Sequence, residues 1–288
     1  QIKNIRNRPH IIIATPGRLQ DHLDRKIVKL DSVAVLVLDE ADHMFDMGFA
    51  FQIKKILALL PKERQTLLFS ATMPPEILKI ATTYMQSPLR FEIAPQGTTA
   101  EKVEHELFFV QREQRMPLLK KILAENLGSV LVFLRTKHAA KKICQQLIAT
   151  NISAAEIHSN RSLNQRTEAL SGFKKGKYRV LVATDIASRG IDVRGIAMII
   201  NYDLPESASD YVHRIGRTGR AGLAGKAISF AMAEQRNKIR EIERLIRYAI
   251  PVSPTSGLPV MGPTQPVQKK YIHSNYYPKK KQNFTRRY

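Results

Sequence analysis

Short, uninterrupted apolar runs recur along most of the chain, and several segments between them carry apolar positions at helical spacing. In the first part the runs are HIIIA (10–14), VAVLVL (33–38) and TLLFS (66–70), with FQIKKILALL (51–60) as a helix before the last. In the second part they are SVLVFL (129–134), YRVLVAT (178–184), MIINYD (198–203) and AISFA (227–231). Helices are predicted there over KHAAKKICQQLIA (137–149) and NQRTEALSGFKKG (164–176). A strand that is apolar at every position has no solvent face. Alternated with helices, such strands predict parallel sheets covered on both sides. Two such blocks predict an α/β protein of two parallel-sheet domains. The Pro/Gly/Thr-rich IAPQGTTAEK (93–102) loses all periodicity and marks the divide. EQRNKIREIERLIRYAI (234–250) closes the second block as a helix with Ile239, Ile242, Leu245, Ile246 and Ala249 on one stripe, ended by Pro251.

Residues 251–288 follow neither rhythm. They hold seven Lys or Arg, no acid and five aromatics (Tyr271, Tyr276, Tyr277, Phe284 and Tyr288), a composition that builds no core and predicts a disordered basic tail. Charge changes the picture of the whole chain too. Its 288 residues carry 46 Lys and Arg against 25 Asp and Glu, a net charge of +21. That excess points to a polyanionic partner, nucleic acid ahead of an anionic membrane surface. No apolar run approaches the roughly 18–20 residues that span a bilayer, so no membrane role is expected. The one cysteine, Cys144, allows neither an intrachain disulfide nor a cysteine-rich zinc site. It suits a reducing compartment and a place among buried apolar side chains. The chain opens on QIKNIRNRPH, with neither an initiator Met nor the apolar core of a signal peptide, and reads as a piece of something longer.

Candidate chemistry collects where apolar runs end. VAVLVL runs into DEAD (39–42), three acids in four positions. In an open parallel sheet ligands bind beyond the carboxyl ends of the strands, and carboxylates there suit Mg²⁺ with its waters and phosphate oxygens. The alternative is a helix N-terminus, which also favours acids. HRIGRTGR (213–220) spaces three arginines by three with glycines between, which would set the guanidinium groups on one side of a tight backbone, suited to phosphates. A solvated basic turn is its alternative. His213 has no second ligand at metal spacing, which favours a hydrogen-bonding structural role over a metal ligand or catalytic base. VLVATDIASRGID (180–192), ATPGR (14–18) and SAT (70–72) are three further strand-end motifs, the ATPGR turn being suited to a phosphate at a helix N-terminus. Singly each is a weak signal; the ordered set of five is not.

With ATPGR, DEAD, SAT, VFLRT (132–136), ATDIASRGID and HRIGRTGR in this order, residues 1 to about 250 resemble the DEAD-box RNA helicases. The segment APQGTTAEK and the basic tail look most like the bacterial RhlE-type branch. The resemblance implies two RecA-like parallel-sheet domains, the first incomplete, at 1–94 and 104–250, with a linker at 95–103 and the tail at 251–288. It implies ATP and Mg²⁺ as cofactors, RNA as partner through its backbone, a cytoplasmic location, and ribosomal-precursor or mRNA-decay complexes as settings. Asp39 would hold Mg²⁺ and Glu40 would orient and deprotonate the attacking water. Asp42, Ser70, Thr72 and His213 would couple hydrolysis to strand separation. Asp192 would contact the ribose, and Arg217 and Arg220 would reach the γ-phosphate. Thr15, Gly17, Arg18, Arg166 and Thr184 would hold RNA phosphates. Two positions depart from the family pattern: Leu163 where Gln is common, and Ser159 where Gly is common. Both touch local RNA contacts. In the tail, basic residues interleaved with tyrosines combine phosphate attraction with base stacking, about 1–3 kcal/mol per base, and imply a salt-dependent RNA tether.

A nucleotide hydrolase of this class also needs a phosphate cradle of the form GxxxxGK[ST]. None of the fourteen glycines supplies one; GFKKGK (172–177) and GLAGKA (222–227) have neither the spacing nor a Ser or Thr after the Lys. The expectation is an ATP-dependent RNA helicase whose 288 residues here are ATPase-deficient by themselves. The alternatives are a non-catalytic RNA-binding protein on a helicase body and a DNA helicase of a related two-domain class.

Overall fold

The computed structural model describes residues 1–92, 103–185, 193, 195–219 and 225–255. Residues 95–102 of the expected linker, Asp192, Arg220 and nearly all of the tail lie outside them, while Val103, placed at the linker's end, already belongs to a strand. Among the described residues two parallel sheets form, each with its own apolar core. The first has two strands, β1 (Val35–Leu38) and β2 (Gln65–Leu68), paired in register from Val35↔Gln65 to Leu38↔Leu68. Around it lie α1 (Ile2–Arg6), α2 (Pro16–Asp24), α3 (Ala41–Asp46), α4 (Ala50–Ala58) and α5 (Pro75–Tyr84).

Two expectations for this first lobe are corrected. HIIIA (10–14) is not a strand, and Ile11 and Ile13 stand 78% and 96% exposed. The ladder described contains only β1 and β2, so among the described residues this segment has no strand neighbour whose amides and carbonyls could hold it extended. Nor do the described residues cover the sheet on both faces. Leu36, Leu38 and Leu68 pack on the core with Ile53, Ile56 and Leu57 of α4, while Val35, Val37 and Leu67 face outward.

The second lobe is a six-stranded parallel sheet of β3 (Val103–Phe109), β4 (Val130–Phe133), β5 (Ala154–Ile157), β6 (Val180–Ala183), β7 (Met198–Asn201) and β8 (Gly225–Ala231). Their spatial order is β3-β8-β7-β4-β6-β5. β4, β6 and β7 are buried at every position, as unbroken apolar runs require. Helices α6 (Arg115–Glu125), α7 (Lys137–Ile148), α8 (Leu163–Lys174), α9 (Ala208–Ile215) and α10 (Arg236–Ile246) complete the lobe. Cys144 is buried in α7. In α10, Ile239, Ile242 and Ile246 are buried as the stripe predicts. The helix ends before Pro251, because Arg247 turns left-handed at φ +54°. Among the described residues no helix is long and apolar enough to cross a membrane.

Strand register places the lobe's functional edge. Phe133 pairs with both Ala183 and Asn201, so β4, β6 and β7 end level, and Thr184, Asp185 and Asp203 follow at one rim. Helix α9 crosses that rim with Tyr211, Arg214 and Ile215 buried. The turn after it is pinned: the buried Thr218 hydroxyl donates to the Ile196 carbonyl. Gly225 lies so close that a Cβ there would come within 3.0 Å of the Thr218 side chain and the Gly219 amide. Gly225→Ala is therefore expected to destabilise the protein by about 1–3 kcal/mol through overpacking. Urea unfolding checks this, and an unchanged midpoint would contradict it.

Candidate functional site

The site begins at the end of β1. The Phe69 amide donates to the Leu38 carbonyl, and the Ala41 amide to the Phe69 carbonyl, which ties the tips of β1 and β2 together. Between them the chain reverses through Glu40 in the left-handed region, φ +50° and ψ +48°. A residue with a Cβ takes that conformation at a cost of order 1–3 kcal/mol, and here it turns the backbone from β1 directly into α3. Glu40 stands at the N-cap of α3, but its side chain makes no capping bond. Asp39 Oδ1 accepts the Glu40 amide at 2.9 Å. Asp39 is exposed and Glu40 half-buried.

Asp42, in the first turn of α3, is 1% exposed. Its Oδ1 accepts the His43 amide at 2.9 Å. Its Oδ2 accepts the Thr72 amide at 2.8 Å and the Thr72 hydroxyl at 2.7 Å. Ser70 closes the ring, accepting the Asp42 amide at 3.1 Å and donating to the Thr72 carbonyl at 2.7 Å. The same Oδ2 meets His213 Nε2 at 3.4 Å, and His213 belongs to α9 of the second lobe. Asp42, Ser70, Thr72 and His213 are therefore in one connected set. A cleft of about 290 Å³ opens beside it, lined in part by Asp42, Asp46, Thr72, Ser207 and Leu245.

On the second lobe Arg214, the first arginine of HRIGRTGR, is buried rather than presented beside the seam. Arg214 is 2% exposed and points into the lobe. Its Nε and Nη2 clasp Asp185 at 2.6 and 2.7 Å, and its Nη1 donates to Asn201 Oδ1 at 3.0 Å and to the Asp203 carbonyl at 2.7 Å. The guanidinium lies 4.8 Å from the Phe133 ring centroid. It thus fastens α9 to the ends of β4, β6 and β7, and through α9 it positions His213. Three-residue spacing hid this: Arg214 lies within α9, whereas Arg217 follows it in the pinned turn. Asp185, just past β6, was visible in the sequence as a strand-end acid but without this role.

Thr15 caps the backbone of α2 in extended conformation, Pro16 opens the helix, and Gly17 and Arg18 lie in its first turn. Arg18 pairs with Asp21 on the same helix at 3.4 Å. Arg166 lies in the first half of α8, with its Nε buried and no hydrogen-bond partner among the described residues. Thr184 is buried just past β6. The described contacts do not join these residues to the Asp42 set. Among the described residues no cluster of three or more His, Cys, Asp or Glu could hold a metal by itself. An exposed Asp39 beside Glu40 fits an ion carried largely by water and phosphate oxygens.

Electrostatics tighten the contact between the lobes. Burial pushes the Asp42 carboxyl up, but His213 and the Thr72 hydrogen bonds outweigh it and hold the group well below the usual carboxylate range. Contact with Asp42 raises the His213 imidazole, burial opposes that, and the charges of Asp42, Glu40 and Asp210 add to the rise. A raised imidazole contributes in full below its ordinary value of about 6.5 and is lost as pH climbs through the raised one. A depressed carboxyl contributes above about 3.9 and is lost as pH falls through the lowered one. The seam should hold best between about pH 4 and 6.5 and loosen as pH rises further. Small-angle X-ray scattering across pH 6 to 9 should show the lobes separating in the wild type and no such trend in Asp42→Asn. A flat wild-type profile would contradict this.

Comparison with known proteins fits this geometry. The DEAD/DEAH box helicase family model matches residues 1–80, and the helicase conserved C-terminal domain model matches residues 114–222. ATP-dependent RNA helicase DbpA of Bacillus subtilis is 42% identical over 251 residues, which cover 87% of this chain and 52% of that protein. The crystal structure of a DEAD box protein from the hyperthermophile Methanococcus jannaschii is 39% identical with a TM-score of 0.53, covering 85% of this chain and 66% of that one. Dbp5 of S. cerevisiae, bound to RNA and ADP BeF3, is 29% identical with a TM-score of 0.70, covering 84% of this chain and 64% of that one. The chain spans about half the length of the curated relatives it matches. With both family models matched in order and strand-end acids facing a helix of the second lobe, the chain belongs to the DEAD-box ATP-dependent RNA helicase family.

Proposed function

We propose that this chain carries the lobe-to-lobe coupling of an enzyme that hydrolyses ATP and uses the energy to open short RNA duplexes. The observation that carries the reading is the Asp42 set, in which the SAT segment and the DEAD segment of one lobe meet the HRIGRTGR helix of the other around a single buried carboxylate. Between β1 and the turn after α9, the flanking groups are suited to phosphoryl transfer. Glu40 would orient a water and take its proton as the water attacks the γ-phosphorus. Arg217, and Arg220 outside the described residues, would stabilise charge on the transferring phosphoryl group. Mg²⁺ held through Asp39 would neutralise phosphate oxygens, and Asp192 would contact the ribose. Thr15, Gly17 and Arg18 in one lobe and Arg166 and Thr184 in the other would hold the RNA backbone, which carries no base code. When the lobes close, both grips would be fixed relative to one another, and a duplex strand that cannot follow would be released.

The arrangement of the lobes supports the reading. Dbp5 bound to RNA and ADP BeF3 matches the chain's spatial arrangement better than the archaeal protein does, despite its lower sequence identity. The domain division at 95–103, a cytoplasmic location and a role in ribosome assembly or mRNA decay belong to the same proposal. The sequence holds no GxxxxGK[ST] run, so these 288 residues by themselves should turn ATP over very slowly. In the whole protein, RNA-stimulated ATP hydrolysis is expected to fall about 10²–10⁴-fold in Glu40→Gln, the usual worth of a general base, with RNA affinity retained. A phosphate-release assay with and without RNA checks both expectations. Robust RNA-stimulated turnover by the 288-residue chain that Glu40→Gln abolishes would overturn the expected deficiency. Full turnover in the Glu40→Gln whole protein would overturn the role of Glu40.

A further inference from the structure

The seam contains a second contact that the strand-end motifs do not include. Asp46, the last residue of α3, uses Oδ2 to accept the Ser207 hydroxyl at 2.9 Å and the Ser209 hydroxyl, both from the start of α9. Asp46 lies four residues beyond Asp42, and Ser209 lies four residues before His213. Residues four apart stand one above the other on a helix. The two helices therefore face each other as an antiparallel ladder with two rungs, Asp42 to His213 and Asp46 to Ser209.

We propose that Asp46 and Ser209 form a positioning pair that fixes the rotation of the second lobe about the Asp42–His213 contact. One contact between two bodies fixes a point and leaves them free to turn about it. A second contact, about 6 Å along the helix at 1.5 Å per residue, leaves only a turn about the line that joins the two. Arg217 follows His213 by another four residues, so turning about a single rung would swing it relative to Glu40. The second rung thus determines where the arginine stands when the lobes meet.

The chemistry of Ser207 makes this rung reversible. Ser207 Oγ caps α9 by accepting the Asp210 amide at 3.1 Å. Its single hydroxyl hydrogen has three acceptors in reach: Asp46 Oδ2 at 2.9 Å, Ser209 Oγ at 2.9 Å and Asp210 Oδ2 at 3.0 Å. When the lobes part, that hydrogen passes to Asp210 and Ser209 turns to Ser207, so neither hydroxyl is left unmatched. Asp46 is exposed and regains water. An exposed charge-assisted rung of this kind orients without locking, whereas the buried Asp42 rung holds.

The inference takes lobe closure from the helicase reading but needs no ATP turnover for its test. Lys54 and Lys175 are exposed on the two lobes, and cysteines placed there accept a dye pair. Cys144 is buried with its thiol pushed up to about 12 and does not compete for label. Single-molecule energy transfer on the full chain then reads the ratio of closed to open molecules. Asp46→Ala and Ser209→Ala should each lower that ratio about tenfold, the worth of a charge-assisted hydrogen bond reduced by exposure. The double variant should fall no further than Asp46→Ala, which removes the Ser207 contact as well, and Ser209→Thr, which keeps the hydroxyl, should behave as wild type. Melting temperature should not move. Unchanged ratios in the Asp46 and Ser209 variants alongside a loss in His213→Ala would overturn the second rung alone. No closed population in the wild type would overturn it together with the seam. Additive losses in the double variant would equally overturn the pairing. ATP turnover enters none of these readouts, so failure of the helicase reading would be seen separately.

Discussion

A carboxylate with 1% of its surface exposed must be fully matched, and Asp42 is matched only by drawing partners from both lobes. Burying a lone ionised carboxylate costs several kcal/mol even after the protein relaxes. Thr72 supplies two donors to Oδ2, the backbone of His43 supplies one to Oδ1, and Ser70 locks the loop that carries Thr72. These partners come from one lobe and leave a negative charge that still favours a cation. His213 is that cation when protonated, and it comes from the other lobe. The seam is thus built around a charge that the first lobe holds in place but does not neutralise.

The rest of the architecture serves to present these two groups. In each lobe the sheet is parallel, so all strands end on the same side and the following residues collect at one rim. In the first lobe the left-handed turn at Glu40 converts the end of β1 into the start of α3, which drops Asp42 into the β2 loop and leaves Asp39 outside. In the second lobe Arg214 ties α9 to the rim through Asp185, Asn201 and Asp203. That buried pair is more specific than it is stabilising. A guanidinium fork matched by a carboxylate fork accepts one orientation, and the orientation is the one that turns His213 outward.

Much of this could be read from the chain before any coordinates. Strands apolar at every position, β4, β6 and β7, were legible because full burial leaves no polar alternation to confuse them. β3 and β5 were missed because Glu104, His105, Glu106 and Glu156 interrupt the apolar run. HIIIA carried the opposite error: its composition is that of a strand, yet composition cannot supply a neighbouring ladder. At the site, Asp42, Ser70, Thr72 and His213 stand in recognisable motifs and do meet. Arg214 was misplaced because spacing along the chain says nothing of where a helix ends, and Asp46 was passed over because a lone acid on a short helix has no signal until its partner helix is known.

Asp42 of one lobe and His213 of the other should titrate as a pair across the seam. ¹⁵N-histidine NMR on the full chain, with His213 assigned by its loss in His213→Ala, tests this directly. In the wild type the imidazole should titrate above its ordinary value of about 6.5, and in Asp42→Asn it should fall back to that value or below, because burial then acts with less opposition. The same midpoint in both proteins would contradict a buried charge shared between the two lobes.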